Sequence, residues 1–244
     1  MEKSEFTNLN YYHRDLSWLL FNQRVIEEPQ DPSNPLLEQL RFLGIASSNL
    51  DEFFMVRVPS IQSLARVAPQ KKDDRTGWTH AEVLLKLYEI NLNNTYTQYQ
   101  YFNRNIEKLA DHDVSILANE QMSAEQRAEV TDYFTRLLLP SITPIGIDAF
   151  PHIAEKKIHL FVQVHKGERT EQAVIPLPPL FQRLHKLSDG KSYIYLEQII
   201  ALHLPEIFVG WQIDQYFFFR ITYDNDLEFQ EDSDEDLFTQ MEEY

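Results

Sequence analysis

The chain contains no cysteine, which excludes disulfide frameworks, thiolate metal sites and cysteine nucleophiles, and leaves its compartment unconstrained by redox conditions. Glycine is scarce too. Six glycines in 244 residues, none closely paired, cannot build a Gly-rich phosphate cradle. The phosphate-loop pattern G-x-x-x-x-G-K-[ST], the dinucleotide pattern G-x-G-x-x-G and the nucleophile elbow G-x-S-x-G are accordingly absent. Basic side chains are the third shortage. Lys and Arg total 22 against 38 for Asp and Glu, a formal charge of −16, which disfavours a broad phosphate-backbone footprint and with it non-specific nucleic-acid binding. The start, MEKSEFTNLNYYHRDL, lacks a basic stretch followed by an apolar one, and nowhere do about 18 apolar residues run together. The expectation is a cytoplasmic protein without a transmembrane segment.

What is present is ordinary globular composition, 43% hydrophobic, enough for one large domain or two of about 100 to 150 residues. The pattern predicts a multidomain chain, a three-helix bundle over 1–118 followed by a mixed α+β domain over 119–244. In the first part, Leu16, Leu19, Leu20, Val25 and Ile26 make one stripe. Asn34-Pro35 reads as an N-cap with Pro at the first helical position, leading into Leu36, Leu37, Leu40 and Leu43. Thr79 and Glu82 form a capping-box pattern ahead of about thirty helical residues ending near Leu109, and Pro69 to Gly77 reads as an exposed connection. In the second part, Ser123 and Gln126 repeat the capping box, and Pro140 and Pro144 end helical geometry. Strands are predicted over 158–165, 172–177 and 215–222, with a short helix over 196–204, making one small mixed or antiparallel sheet. From Asp224 to Tyr244 there are ten acids and no base, yet Leu237, Phe238, Met241 and Tyr244 recur as on an amphipathic helix. That helical pattern is still running at Tyr244, so the chain reads as cut short.

The stretch Arg41 to Arg57, RFLGIASSNLDEFFMVR, is the most informative. Gly44 to Asn49 interrupts the apolar stripe, and Asn49 with Glu52 has the spacing of an N-cap and its reciprocal partner. A helix starting there would offer unpaired N–H groups, with Arg41 and Arg57 nearby, to a phosphate or a nucleobase edge. The alternative is that Asn49 only caps a helix and the arginines are solvated. Elsewhere the signals are weaker. His159 and His165 lie on one strand face but about 20 Å apart, too far to share a metal. Asp224, Asp226 and Glu228 alternate like carboxylates on a strand edge, although acidic runs more often mark a solvated face. The run Tyr216 to Phe219 suits a strand buried on both faces, or a subunit interface, better than a base-stacking platform.

Three segments in order, Arg14 to Val25 (RDLSWLLFNQRV), Ser33 to Gly44 (SNPLLEQLRFLG) and Ser48 to Arg57 (SNLDEFFMVR), closely resemble the amino-terminal region of bacterial polyphosphate kinase, with a weaker match at Leu138 to Pro144. The resemblance implies the first domain and most of the second, or head, domain of a much longer enzyme, which moves the terminal phosphate of ATP onto polyphosphate through a phosphohistidine, with Mg²⁺. It further implies that the H-x-K histidine and the Mg²⁺-associated arginines belong to phospholipase-D-like catalytic domains. No His here is followed two residues on by Lys. On this reading Asn49 matches the family's ATP-site asparagine, Arg57 and Arg41 are candidate phosphate contacts, and no catalytic or metal residue is expected. ATP, ADP and polyphosphate are the implied partners, with self-association through the head domain. The chain alone is expected to be inactive and to hold neither ATP nor Mg²⁺ by itself, and a non-catalytic interaction module is the alternative.

Overall fold

The structure, a computed structural model, describes residues 11–147 and 152–224. Two compact units divide between Asn105 and Ile106. The sequence readings beyond Asp224, including Asp226, Glu228 and the acidic amphipathic pattern, lie outside the described residues.

The first unit is a bundle of α1 (Arg14–Glu27), α2 (Leu36–Glu52) continued by α3 (Val58–Val67), and most of α4 (His80–Leu109). The apolar stripes meet in two clusters. Leu16, Leu19, Phe53, Val58, Ile61, Val83 and Leu87 form one; Ile26, Leu43 and Ala46 form the other, packed against Tyr101 and Phe102. Amides hold α4 in axial register: Asn94 Nδ2 donates to the Leu19 carbonyl at 3.2 Å, and Gln98 Nε2 to the Leu43 carbonyl at 2.8 Å. The predicted box at the start of α4 is present, Thr79 N–H on Glu82 Oε2 at 2.7 Å and Glu82 N–H on Thr79 Oγ1 at 3.3 Å.

Two readings of this unit are corrected and a third is refined. Asn34 does not cap α2; the cap position is Pro35, and Asn34 instead donates to the Glu28 carbonyl. The connection before α4 is exposed over most of its length, as expected, and is also folded. Asp73 accepts from the Arg75 and Thr76 N–H groups, Gly77 takes a left-handed turn at φ 72°, and Thr76 is buried. Most consequentially, no helix begins at Asn49. Helix α2 runs unbroken through Gly44 and Asn49, and the irregularity comes later, as a π-turn over Phe53–Arg57 closed by Val58 N–H on the Phe53 carbonyl. Pro59 supplies the cause. It has no N–H for the Met55 carbonyl and its ring crowds that carbonyl, so the preceding turn widens.

The second unit adds β1 (Ser115–Ile116), α5 (Ala124–Tyr133), β2 (Ile145–Gly146), β3 (His159–Lys166), β4 (Arg169–Pro176), β5 (Leu184–Lys186), β6 (Ser192–Tyr195), α6 (Leu196–Leu202), α7 (Leu204–Ile207) and β7 (Gln212–Phe219). Instead of one small sheet there are two, a mixed sheet ordered β1-β6-β5 and an antiparallel sheet ordered β2-β4-β3-β7. Alternation in β3 buries Leu160, Val162 and Val164 against a core that includes Phe134, Leu138, Ile194, Ile199 and Ile200. A second π-turn, Phe134–Leu138, follows α5 and again precedes a proline, Pro140. The aromatic run is not buried on both faces. Among the described residues strand β7 is an edge, and Tyr216 and Phe217 are 45% and 50% exposed.

Phe134, fully buried and stacked on His203 at 4.2 Å, anchors this core. Phe134→Ala is expected to cost about 3–5 kcal/mol of unfolding free energy in urea titrations. Leu137→Ala, on the exposed side of the same turn, should stay within about 0.5 kcal/mol.

Candidate functional site

The seam between α1 and α2 carries the polar chemistry of the first unit. The inward face of α1 presents Asp15, Leu19, Asn22 and Ile26, all buried, so a carboxylate and an amide occupy positions where apolar side chains would be expected. Each finds a partner across the seam. Asn49 Nδ2 donates to Asn22 Oδ1 at 3.2 Å; one turn on, Trp18 stacks on Phe53 with centroids 4.3 Å apart; a turn further, Arg57 Nε and Nη2 donate to the two oxygens of Asp15 at 3.2 and 3.4 Å. The pairs step backward along α1 as they step forward along α2, as antiparallel helices require.

Asn49 therefore sits inside a helix, half-buried, at the edge of the seam. It offers its side chain and no free backbone N–H groups, which removes the helix-dipole part of the expectation. It is not sealed in an apolar interior either. Among the described residues nothing hydrogen-bonds to Asn49 Oδ1. Arg57 lies on the same seam; with Nε and Nη2 on Asp15, its Nη1 has no partner among the described residues. Arg41 is not brought to the site. It is exposed, contacts Glu38 at 3.4 Å, and lies about 24 Å from Arg57 along the helix axis.

Sequence reasoning missed Asn22, Asp15 and the cavity beside them. A cavity of about 400 Å³ opens where the start of α1, the π-turn and the 73–80 segment converge, lined in part by His13, Arg14, Arg57, Arg75 and His80. The signal was legible: Asp15 and Asn22 interrupt an otherwise apolar helix face at helical spacing. His13 caps α1, its Nδ1 accepting from the Asp15 N–H at 3.3 Å. Burial pushes the His13 pKa down from 6.5, against the raising influence of Asp15 and Asp73. Asp73 is held low by the Thr76 N–H. In the second unit His159 is buried, its ring against the Lys157 carbonyl at 3.0 Å, and His165 pairs with Asp214, the extra residue of a bulge in β7. Among the described residues, no three His, Asp or Glu side chains converge as metal ligands would.

With this geometry in hand, comparison with known proteins is specific. The family model for the polyphosphate kinase N-terminal domain matches residues 11–117, and that for the polyphosphate kinase middle domain matches residues 125–244. Polyphosphate kinase of Staphylococcus saprophyticus is 37% identical over 239 residues, covering 96% of this chain and 33% of the relative. That of Bacillus anthracis is 35% identical over 260 residues, covering 99% and 37%. The crystal structure of polyphosphate kinase from Porphyromonas gingivalis superposes with a TM-score of 0.75 at 24% identity, over 88% of this chain and 33% of that one, a likeness of fold. The chain thus spans about a third of the length of the relatives it matches.

Two outcomes test the site's energetics. Arg57→Met leaves the buried Asp15 carboxylate with only the exposed Arg14, at 3.6 Å, and the half-buried His13 beside it and is expected to lower the unfolding free energy by about 2 kcal/mol, with most of the loss absent when Asp15→Asn is made alongside it. For His13, whose folded pKa lies below its unfolded value, the unfolded state binds more protons between the two. Its contribution is complete above about pH 6.5 and is lost as pH falls from there through the folded value. The urea midpoint should therefore drop between about pH 7.5 and about pH 5.5, and drop less in His13→Asn, which retains a capping side chain.

Proposed function

This chain belongs to the polyphosphate kinase family, and from that membership we propose that it forms one wall of the nucleotide site of an enzyme moving phosphate between ATP and polyphosphate. The observation carrying this reading is the seam itself. Asn49 and Arg57 share one face of a continuous helix, about 12 Å apart along its axis, a spacing suited to the base and the phosphates of one extended nucleotide. Asn49 would meet the base through Oδ1, and Arg57 would offer Nη1 to a phosphate oxygen while Asp15 holds its other nitrogens in place.

The chain's role in this scheme is positional. A seam pinned by Trp18 on Phe53 and by the Asp15–Arg57 pair keeps both groups oriented before a nucleotide arrives. Mg²⁺ does not fit these residues. Asp15 is engaged by Arg57, Asp73 by its own turn, and the described residues hold no converging ligand set, so no step is routed through the ion here. The phosphohistidine step is likewise assigned to no residue of this chain, in which H-x-K does not occur. Among the described residues no helix is long and apolar enough to cross a membrane. The proposed setting, from the composition, is the cytoplasm.

The second unit is assigned to self-association. Among the described residues strand β7 leaves one edge unpaired and presents Tyr216 and Phe217, so a second copy of the chain is the proposed partner.

One wall of a site is expected to hold ATP too weakly to stay occupied at working concentrations yet measurably at millimolar concentration, and titration over that range, followed by calorimetry or fluorescence, tests the nucleotide reading. Asn49→Ala is expected to weaken binding about five- to tenfold, the net worth of one hydrogen bond, and Arg41→Ala to leave it unchanged. Equal affinities for wild type and Asn49→Ala would remove the reading. The pure chain is expected to make no polyphosphate from ATP, and synthesis above background would overturn that expectation. Light scattering that finds only monomer at high concentration would remove the self-association.

A further inference from the structure

Two amides and one backbone carbonyl form a chain whose direction admits a single assignment. Asn22 is 1% exposed, and one end of its amide lies 3.1 Å from the Ala46 carbonyl. A carbonyl only accepts, so the Asn22 atom facing it is Nδ2, and Oδ1 faces the other way. That oxygen lies 3.2 Å from the Asn49 amide, so the Asn49 atom meeting it is also a nitrogen. Asn49 Oδ1 is consequently turned outward, and among the described residues it has no partner and is not sealed from solvent. Rotating the Asn49 amide by half a turn would bring two oxygens face to face at that distance.

We propose that Asn22, a residue with no route to the nucleotide itself, is a positioning residue that fixes Asn49 as a hydrogen-bond acceptor, so that the site favours a purine carrying an exocyclic amine over one carrying a 6-oxo group. This rests on the reading that Asn49 faces the nucleotide base. Adenine presents an N–H donor at that edge, whereas hypoxanthine and guanine present an oxygen, which an outward Oδ1 repels. An unrestrained asparagine would discriminate little, because it can turn its NH₂ toward the oxo group. Discrimination therefore comes from the buried amide behind it, whose own direction is set by the Ala46 carbonyl of α2.

The test compares ATP with inosine triphosphate, which differ at that group, by titration of the wild-type chain and four variants. Wild type should bind ATP about fivefold or more tightly than inosine triphosphate. Asn22→Leu, which removes the acceptor and frees the Asn49 amide to turn, should bring the two affinities within about twofold. Asn22→Asp keeps an acceptor for Asn49 Nδ2 and should keep the preference even where it costs stability; circular dichroism identifies which variants fold. Equal binding of the two nucleotides by wild type overturns the proposal without reference to any variant, and so does a folded Asn22→Leu that retains the preference, or a folded Asn22→Asp that loses it. If Asn49→Ala binds ATP as wild type does, or if wild type binds no ATP at millimolar concentration, the nucleotide reading itself has failed. Loss of ATP binding in Asn49→Ala together with indifference between the nucleotides in wild type defeats the positioning role alone. Arg41→Ala serves as the unaffected control.

Discussion

A helix face that buries a carboxylate and an amide has to find hydrogen-bonding partners for both, and in this protein that requirement sets how α1 lies on α2. Leaving either group unpaired in the seam would cost a large fraction of the stability of a domain this size. Asp15 takes both Nε and Nη2 of Arg57, and Asn22 takes the Ala46 carbonyl on one side and Asn49 on the other. Apolar contacts alone, such as Leu19 and Ile26 against the second helix, tolerate small slips along the axis. Directional bonds at two levels do not, and the Trp18–Phe53 stack fills the level between them.

The π-turn belongs to the same constraint. Pro59 denies the Met55 carbonyl its helical partner, and the wider turn lets four residues on this side match three on α1 between the Trp18 and Asp15 levels. Arg57 thereby reaches the start of α1 beside the cavity, while Asn49 stays on regular helix one level from the stack. A second π-turn ahead of Pro140 shows the same local solution in a different setting, burying Phe134 and Leu138. The turn type thus follows from proline, and its use follows from the neighbouring residues.

In the second unit the corresponding constraint is a sheet edge. Strand β3 is central, paired on both sides, and hides Leu160, Val162 and Val164; among the described residues strand β7 pairs on one side only and leaves aromatic side chains in solvent. Of the four strands of that sheet, the three long ones were legible, β3 because its residues alternate and β4 and β7 because each is a β-rich run bounded by turn residues. Strand β2 and the whole β1-β6-β5 sheet were not, because strands of two to four residues carry almost no period.

Periodicity and capping chemistry are local, and they were enough for α1, α4 and the start of α5, where Thr79–Glu82 and Ser123–Gln126 form the boxes their spacing implied. Three segments in the right order were enough for the family. The reading of Asn49 as a cap failed because Asn followed three residues later by Glu also fits a helix interior, and only the continuing i→i−4 bonds of α2 decide between the two. Asp15 and Asn22 on the apolar face of α1 went unread, and their spacing alone would not have shown what they meet. That Asp15 meets Arg57, that Asn22 meets Asn49 and that Arg41 meets neither are relations between residues distant in the chain. They come into being only when α1 and α2 close on each other, since the partner of a buried polar group is chosen by the packing that removes water from it.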